Sequence, residues 1–524
     1  MFKILSLKCI KALLACCLLY FAVFLLHYHY YLITFPYPII YSEGTMMSST
    51  TQLLHGVNPY NFLIEPQYTN NYGIVYPVIV WPLASLFGVN LLVHRAVTGF
   101  FILASCLVIF FVIYKKRTPL LLNCWAVLTL YASLLFRLTS TPCVDPASTG
   151  LFFMLLTIFI PYFLDYSNVS LLISLICGLL AFYTKAYFFL GLPVMVSYLF
   201  FFVSKKKSLY LGVWSLPCLI LSVVVINHFF QSYFDDCFFI SCNVSALTSM
   251  PMVLARQLHA FVGLNKGILL LILLVLVYHL VSWFIAFRKK MNEALKTWGP
   301  CIRLKDWDDP LIINRLPLEI YAGICMAIVL IMLMGSHLGS NLWYFFQLFS
   351  PFLVIYASGL AGQFTLWPIL FSFLLIYNLS SLTHDDNYRY FNKKPIGWNT
   401  IEMLVKENNS IFNSPLIAPL LIQENKQIVD NGTQYYTEGG KRQGLIGLLF
   451  QEDKRVADAQ KLYAGKLQYM VKYKLFDLII VEMGYSSKTL PGDMLHYYRF
   501  VGPILVNLPQ DRKYYMMTVW SRIS

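Results

Sequence analysis

Between Ala12 and Leu32 the chain carries no Asp, Glu, Lys or Arg, and the run is almost wholly apolar. About 20 such residues cross a bilayer as a helix. Ten more runs follow: Val93–Tyr114, Pro119–Phe136, Thr149–Leu164, Leu171–Tyr183, Phe188–Val203, Tyr210–His228, Gly267–Phe287, Ile320–Met334, Leu342–Leu360 and Leu366–Tyr377. Inside a bilayer each backbone amide must be satisfied within its own segment, so every run is predicted to be helical. The fold class expected is an α-helical polytopic membrane protein of about eleven spans. Composition agrees: 58% of residues are hydrophobic and 12% charged, against about 45–50% and about 25% in soluble domains. An ordinary cytosolic enzyme is excluded, and the 17% aromatic content excludes disorder.

Basic clusters fix the sidedness. Lys115-Lys116-Arg117, Lys205-Lys206-Lys207 and Arg288-Lys289-Lys290 each close a run. Positive loops stay in the cytoplasm, and eleven spans put all three clusters on that side. The net charge of +14 belongs to this pattern, so nucleic acid is not an expected partner; membrane lipids are. The N-terminus MFKILSLKCIK resembles a signal-peptide start, but no small-residue cleavage site follows. The first run is therefore read as an uncleaved helix with a cytoplasmic N-terminus. The expected location is a membrane with a translocated outer face. The segment Ile74–Phe87, rich in Pro and Trp, is expected to lie on the outer membrane surface as a short helix.

Of the 64 charged residues, 32 fall after Ser380. That shift divides the chain into a membrane module, 1–380, whose first outer loop spans 34–92, and an extracytoplasmic tail, 381–524. A helix-like stretch at Gln451–Val471 and strand-like runs at Phe476–Val481 and Tyr514–Val519 predict a small α/β domain there. Cys237 and Cys242 share one polar loop, close enough for a disulfide.

Only 11 of the 25 acids precede residue 381. The topology places Asp165, Glu293, Asp306, Asp308, Asp309 and Glu319 inside, and Glu43, Glu65, Asp145, Asp235 and Asp236 outside. No acid lies mid-span, which argues against a proton-coupled pump. Glu43, flanked by apolar residues at the membrane surface, is placed where a partly desolvated general base would act; the plain alternative is a solvated loop acid. Asp145 precedes Pro146, as a helix N-cap does. Asp235-Asp236 could coordinate a divalent ion or be ordinary surface acids. Among outer bases, Lys185 and Arg137 run against the positive-inside trend and are candidates for phosphate binding. Arg95, Arg256, His259, Lys266 and His337 also fall outside, where bases commonly snorkel to head groups.

The first loop has an ordered set of features: Ser42-Glu43-Gly44 after the first span, a helical stretch, Gly56-Val57-Asn58-Pro59-Tyr60, the aromatic surface helix, Phe87-Gly88, and Arg95 at the next span. Arg137 with Asp145, Thr184-Lys185, and the run WYFFQLFSPFL containing Tyr344 follow later. Taken together they resemble the GT-C class of integral-membrane glycosyltransferases. The likeness is greatest to the protein O-mannosyltransferase and aminoarabinose transferase superfamily and its RgtA/B/C/D-like group. The resemblance implies an inverting transfer of a sugar from a polyprenyl-phosphate donor to a hydroxyl of a glycan, lipid or protein at the outer face of a plasma (bacterial inner) membrane. It implies Glu43 as base, with Asp145 orienting the acceptor. Lys185, Arg137, Arg256, His337 and Tyr344 would be substrate-binding groups. A divalent cation, Mg or Mn, would be held by Asp145, Asp235 and Asp236. Many relatives carry Asp-Glu where this chain has Ser42-Glu43, so Glu43 would act alone or with Asp145. A lipid-linked-sugar transporter or flippase, and a non-catalytic member of the same scaffold, are the competing readings.

Overall fold

The structure is a computed structural model. It describes the chain apart from residues 1, 41, 62–63, 66–69, 71, 137–143, 241–254, 256–257, 260–261, 264–265, 297–315, 334–342, 363–366, 384–394, 431–453, 484–493, 508–513 and 524. Each of the eleven predicted spans coincides with a helix. They are α1 (Phe2–Thr34), α4 (Leu91–Lys115), α5 (Leu120–Phe136), α6 (Ala147–Phe163), α7 (Asn168–Phe182), α8 (Gly191–Tyr198), α9 (Lys205–Phe229), α10 (Lys266–Lys296), α11 (Leu318–Leu333), α12 (Trp343–Gly362) and α13 (Trp367–Thr383). The sixth span is composite. A 3-10 turn, Ala186–Leu190, leads into α8, and a π-helical turn, Leu199–Val203, completes it.

Four helices among the described residues have the length and hydropathy to cross a membrane. On α9, Val213, Trp214, Leu216, Ile220, Leu221 and Val224 all point outward and are more than half exposed. A contiguous apolar face of that size requires lipid around it. By contrast α4 is central, packed by α1, α3, α5, α6 and α12. Close approaches depend on glycine. A Cβ at Gly150 of α6 would enter the Phe188 ring, and one at Gly99 of α4 would meet the His29 imidazole of α1.

The loop after α1 holds α2 (Glu43–Leu54) and α3 (Val75–Phe87). α3 fills the segment expected to be a surface helix. It buries Tyr76, Val80 and Ala84 while Trp81, Leu83, Leu86 and Phe87 stay exposed. α2 is hydroxyl-rich yet buried along most of its length. One side faces α4, where Thr50 meets His94 Nε2 at 3.0 Å; the tail packs on it as well.

The tail holds α14 (Trp398–Glu407), α15 (Ala418–Gln423) and α16 (Lys454–Lys472), with a sheet of β1 (Ile411–Asn413), β2 (Leu478–Glu482), β3 (Tyr498–Asn507) and β4 (Tyr514–Arg522). Strand order is β1-β2-β4-β3, with only β1 and β2 parallel. β2 is apolar and buried from Leu478 to Val481 because both its faces are covered there. Ile479 and Val481 share a core with Tyr463, Leu467 and Val471, one face of α16 at helical spacing. Leu478 and Ile480 belong to the main core with residues of α14 and α15.

That core is continuous into the membrane module. α15 packs on α2, and the Tyr37 ring stacks on Trp398 with centroids 5.3 Å apart. Tyr37 Oη donates to Asn399 Oδ1 at 2.5 Å, and Glu402 Oε2 lies 3.1 Å from it. Burial, then Glu402, pushes the Tyr37 phenol up to about 12. Its proton therefore persists across physiological pH, and this part of the docking weakens only as pH climbs from about 10 through about 12. Tyr37→Phe keeps the stack and loses the bond. We expect it to lower thermal stability by about 1 kcal/mol, read as unfolding temperature in nanodiscs.

Candidate active site

Glu43 opens α2 and Arg95 occupies the first turns of α4; both are completely buried. They form a bidentate pair, Nε to Oε1 at 2.8 Å and an η-nitrogen to Oε2 at 2.9 Å. The carboxylate also accepts Ile39 N–H on Oε2 at 2.7 Å and Val144 N–H on Oε1 at 3.2 Å. Two of the guanidinium's three remaining N–H donors go to the carbonyls of Phe35 and Tyr37, the latter at 2.7 Å. Four chain segments meet here: the exit of α1, the start of α2, α4, and the approach to α6. The charge is neutralised locally and every bond is charge-assisted, as a buried pair requires.

This geometry changes the part assigned to Glu43. A carboxylate offers about four lone-pair sites, and here each oxygen already accepts two donors. Neither is free to meet an acceptor hydroxyl. Glu43 is a clasp, and its link to Asp145 runs through the neighbouring Val144 amide.

Asp145 sits where that amide ends, just ahead of α6, and is 4% exposed. Its Oδ1 accepts Ala147 N–H at 2.8 Å. The expectation of an Asp145 N-cap with Pro146 at N1 is corrected: Pro146 is itself the N-cap and Asp145 stands one residue before it, where its carboxylate still reaches the first helical N–H. The same Oδ1 lies 3.8 Å from Lys185 Nζ. Among the described residues no hydrogen bond reaches Oδ2, so one lone-pair-bearing oxygen is available. Lys185 is one-fifth exposed and follows α7. Its Nζ stands 4.9 Å from the Tyr72 ring centroid and 5.6 Å from that of Tyr187.

Two close approaches set the lysine there. Gly150 admits the Phe188 ring, which draws the 3-10 turn onto α6. Gly73 lies against the backbone at Tyr183 and Thr184, with Gly73 N–H on Thr184 O at 3.1 Å and Val75 N–H on Tyr183 O at 3.0 Å. A Cβ at Gly73 would fall on the Tyr183 carbonyl, and backbone cannot swing aside. Gly73→Ala should therefore force the two segments apart and lower the unfolding temperature. Gly150→Ala meets only a side chain and should do less. Unfolding temperatures of both variants in nanodiscs check this order.

The remaining candidates are less concentrated. Asp235 and Asp236 start a π-helical turn beyond α9, and Asp236 is buried near Tyr60. Among the described residues no three His, Cys, Asp or Glu side chains are placed to hold a metal ion. Asp145, Asp235 and Asp236 therefore do not come together as the expected set, and the carboxylate of Asp145 faces an ammonium instead. Among the described residues these three carboxylates offer a divalent cation no shared set of ligands. Tyr344 falls in the first turn of α12. Arg137, Arg256, His337 and Cys242 lie outside the described residues, and Cys237 directs its thiol at Tyr72 O, 3.3 Å away.

At the opposite end of the bundle Lys115 lies 3.6 Å from Asp165, and Lys116 pairs with Glu319. The charges sorted to opposite sides by sequence thus gather at opposite ends. An open cleft of about 550 Å³ lies elsewhere, in the tail between Leu495, Arg499, Phe500 and Trp520. Its walls are carbon-rich and hold no acid–base pair.

Sequence reasoning missed the partner of Glu43. An arginine in an otherwise uncharged span demands an anion nearby, which was the available signal. It also missed Tyr72 and Tyr187, whose role depends on a backbone contact between distant loops. No protein-family profile and no curated protein matches the chain. Among solved structures, the crystal structure of ArnT from Cupriavidus metallidurans bound to undecaprenyl phosphate is similar over 96% of this chain and 97% of that chain, with 13% identity and a TM-score of 0.44.

Proposed function

We propose that this chain is a membrane glycosyltransferase. It would move a sugar from a polyprenyl-phosphate donor to an acceptor hydroxyl at the extracytoplasmic face. The observation that carries this reading is the pair Asp145 and Lys185, 3.8 Å apart, mostly buried, at the end of the bundle covered by the first loop and the tail. A free carboxylate oxygen beside a movable ammonium supplies the two charges that transfer from a phosphate needs. The order of first-loop features supports it independently.

In this mechanism the donor phosphate draws the ammonium of Lys185 away from Asp145. That frees the carboxylate to act as base. The acceptor hydroxyl gives its proton to Asp145 Oδ2 while its oxygen bonds to the anomeric carbon. The bond from that carbon to the phosphate oxygen breaks, and its electron pair leaves with the polyprenyl phosphate. Lys185 balances the charge that develops there. Proton abstraction by a placed base contributes about 10²–10⁴-fold. Glu43 and Arg95 take no proton; they hold the Val144 amide and hence the position of Asp145.

The test is sugar transfer or donor hydrolysis by the purified protein in nanodiscs, offered a panel of polyprenyl-phosphate sugars and acceptors. Wild type should turn over at least one donor, and Lys185→Ala should raise KM for it tenfold or more. One observation favours a second reading, a non-catalytic member of the scaffold: Ser42 stands where many relatives have an acid, and Glu43 is fully engaged. Polyprenyl phosphate binding without turnover of any donor would favour it.

A further inference from the structure

Lysine is long and flexible, and nothing in its own turn forces Lys185 to point at Asp145. Tyr187 belongs to the same turn. Tyr72 comes from the first loop, and an unusually complete set of bonds fixes its backbone. Its N–H is taken by Asn70 Oδ1 at 2.9 Å. Its carbonyl receives the Tyr60 hydroxyl at 2.9 Å and the Cys237 thiol at 3.3 Å. Asn70 and Tyr60 are themselves completely buried, and the Asn70 amide reaches Tyr60 Oη at 3.4 Å. Burial, with Cys237, Tyr233 and Asp236 beside it, pushes the Tyr60 phenol well above its ordinary range, so this donor keeps its proton. The next residue, Gly73, is bonded to the backbone just before Lys185. The Tyr72 backbone is thus fixed at a point from which its ring stands beside the ammonium.

We propose that Tyr72 is a positioning residue for Lys185: its ring holds the ammonium toward Asp145 by a cation–π contact, and Asn70, Tyr60 and Cys237 are the frame that holds the ring. This rests on reading Lys185 as the phosphate-binding cation. It adds that the cation is oriented before the donor arrives.

Two measurements on the full chain in nanodiscs test it. The first is a brief pulse of an amine-acylating reagent, with modification of Lys185 followed by peptide mass spectrometry. A held, shielded ammonium reacts slowly. Tyr72→Leu should label Lys185 about 3–30-fold faster than wild type, the range a cation–π contact spans. Tyr72→Phe, which keeps the ring, should match wild type. Asn70→Ala should move toward the leucine variant. Should Tyr72→Leu not fold, Tyr72→Met supplies the same comparison.

Wild-type labelling by a folded Tyr72→Leu protein would overturn the proposal, as would fast labelling of Tyr72→Phe. The second measurement is binding of polyprenyl phosphate to the same variants and to Lys185→Ala. Weakening in step with the labelling rates supports both readings. Labelling that changes while no variant, Lys185→Ala included, affects binding leaves Tyr72 as the positioning residue and removes the phosphate from Lys185.

Discussion

Arg95→Ala should destabilise the protein by about 3–5 kcal/mol, the cost of stripping one partner from a buried ion pair. The loss exceeds that of an ordinary pair because Arg95 serves three acceptors. Glu43 would keep its charge without surface to solvate it, and the carbonyls of Phe35 and Tyr37 would lose their donor. Glu43→Gln should also be costly. Its amide would turn an N–H toward donors on one side and leave the guanidinium without an anion. Replacing both together, as Glu43→Gln with Arg95→Met, should recover part of the loss, since neither charge is then stranded. Unfolding temperature in nanodiscs, measured on the two single variants and the double, gives the coupling. Additive losses would mean that the contact contributes little.

Asp145→Asn should be milder in stability and severe in turnover. The amide can keep the Ala147 N–H bond through its oxygen, but Lys185, one-fifth exposed, loses its anion, so stability should fall by about 0.5–3 kcal/mol. Turnover should fall by about 10²–10⁴-fold, because an amide takes no proton. The contrast between the two carboxylates is the sharpest consequence of their surroundings. One is surrounded by four donors and holds the loop. The other has, among the described residues, one oxygen that meets no donor and a lysine beside it.

Most of the architecture was legible in the chain. Apolar run lengths located the eleven spans, and basic clusters sorted Asp165 and Glu319 to the end where Lys115 and Lys116 meet them. In the tail, α16, β2 and β4 follow from periodicity. β3 was not legible. Gly502-Pro503 reads as a turn, yet a bulge between Phe500 and Gly502 and an edge position in the sheet accommodate it. β1 was missed because three residues carry no periodicity and pair with a strand more than sixty positions away.

The site was half legible for a similar reason. Asp145 and Lys185 stand out by charge and position alone. The clasp between Glu43 and Arg95 joins residues 52 apart in sequence, and the Tyr72 frame joins local bonds, 2 to 12 residues apart, to Cys237, 165 residues from Tyr72. One sequence cannot distinguish a carboxylate that is engaged from one that is open. Only the count of donors around each oxygen does.

The central claim is that Asp145 takes the proton. The direct measurement is single-turnover sugar transfer by wild type and Asp145→Asn in nanodiscs, with unfolding temperature recorded on the same samples. The account predicts a variant that stays folded at the assay temperature and transfers at least a hundredfold more slowly. An Asp145→Asn protein that transfers within threefold of wild type would contradict it and return the search for the base to the rest of the first loop.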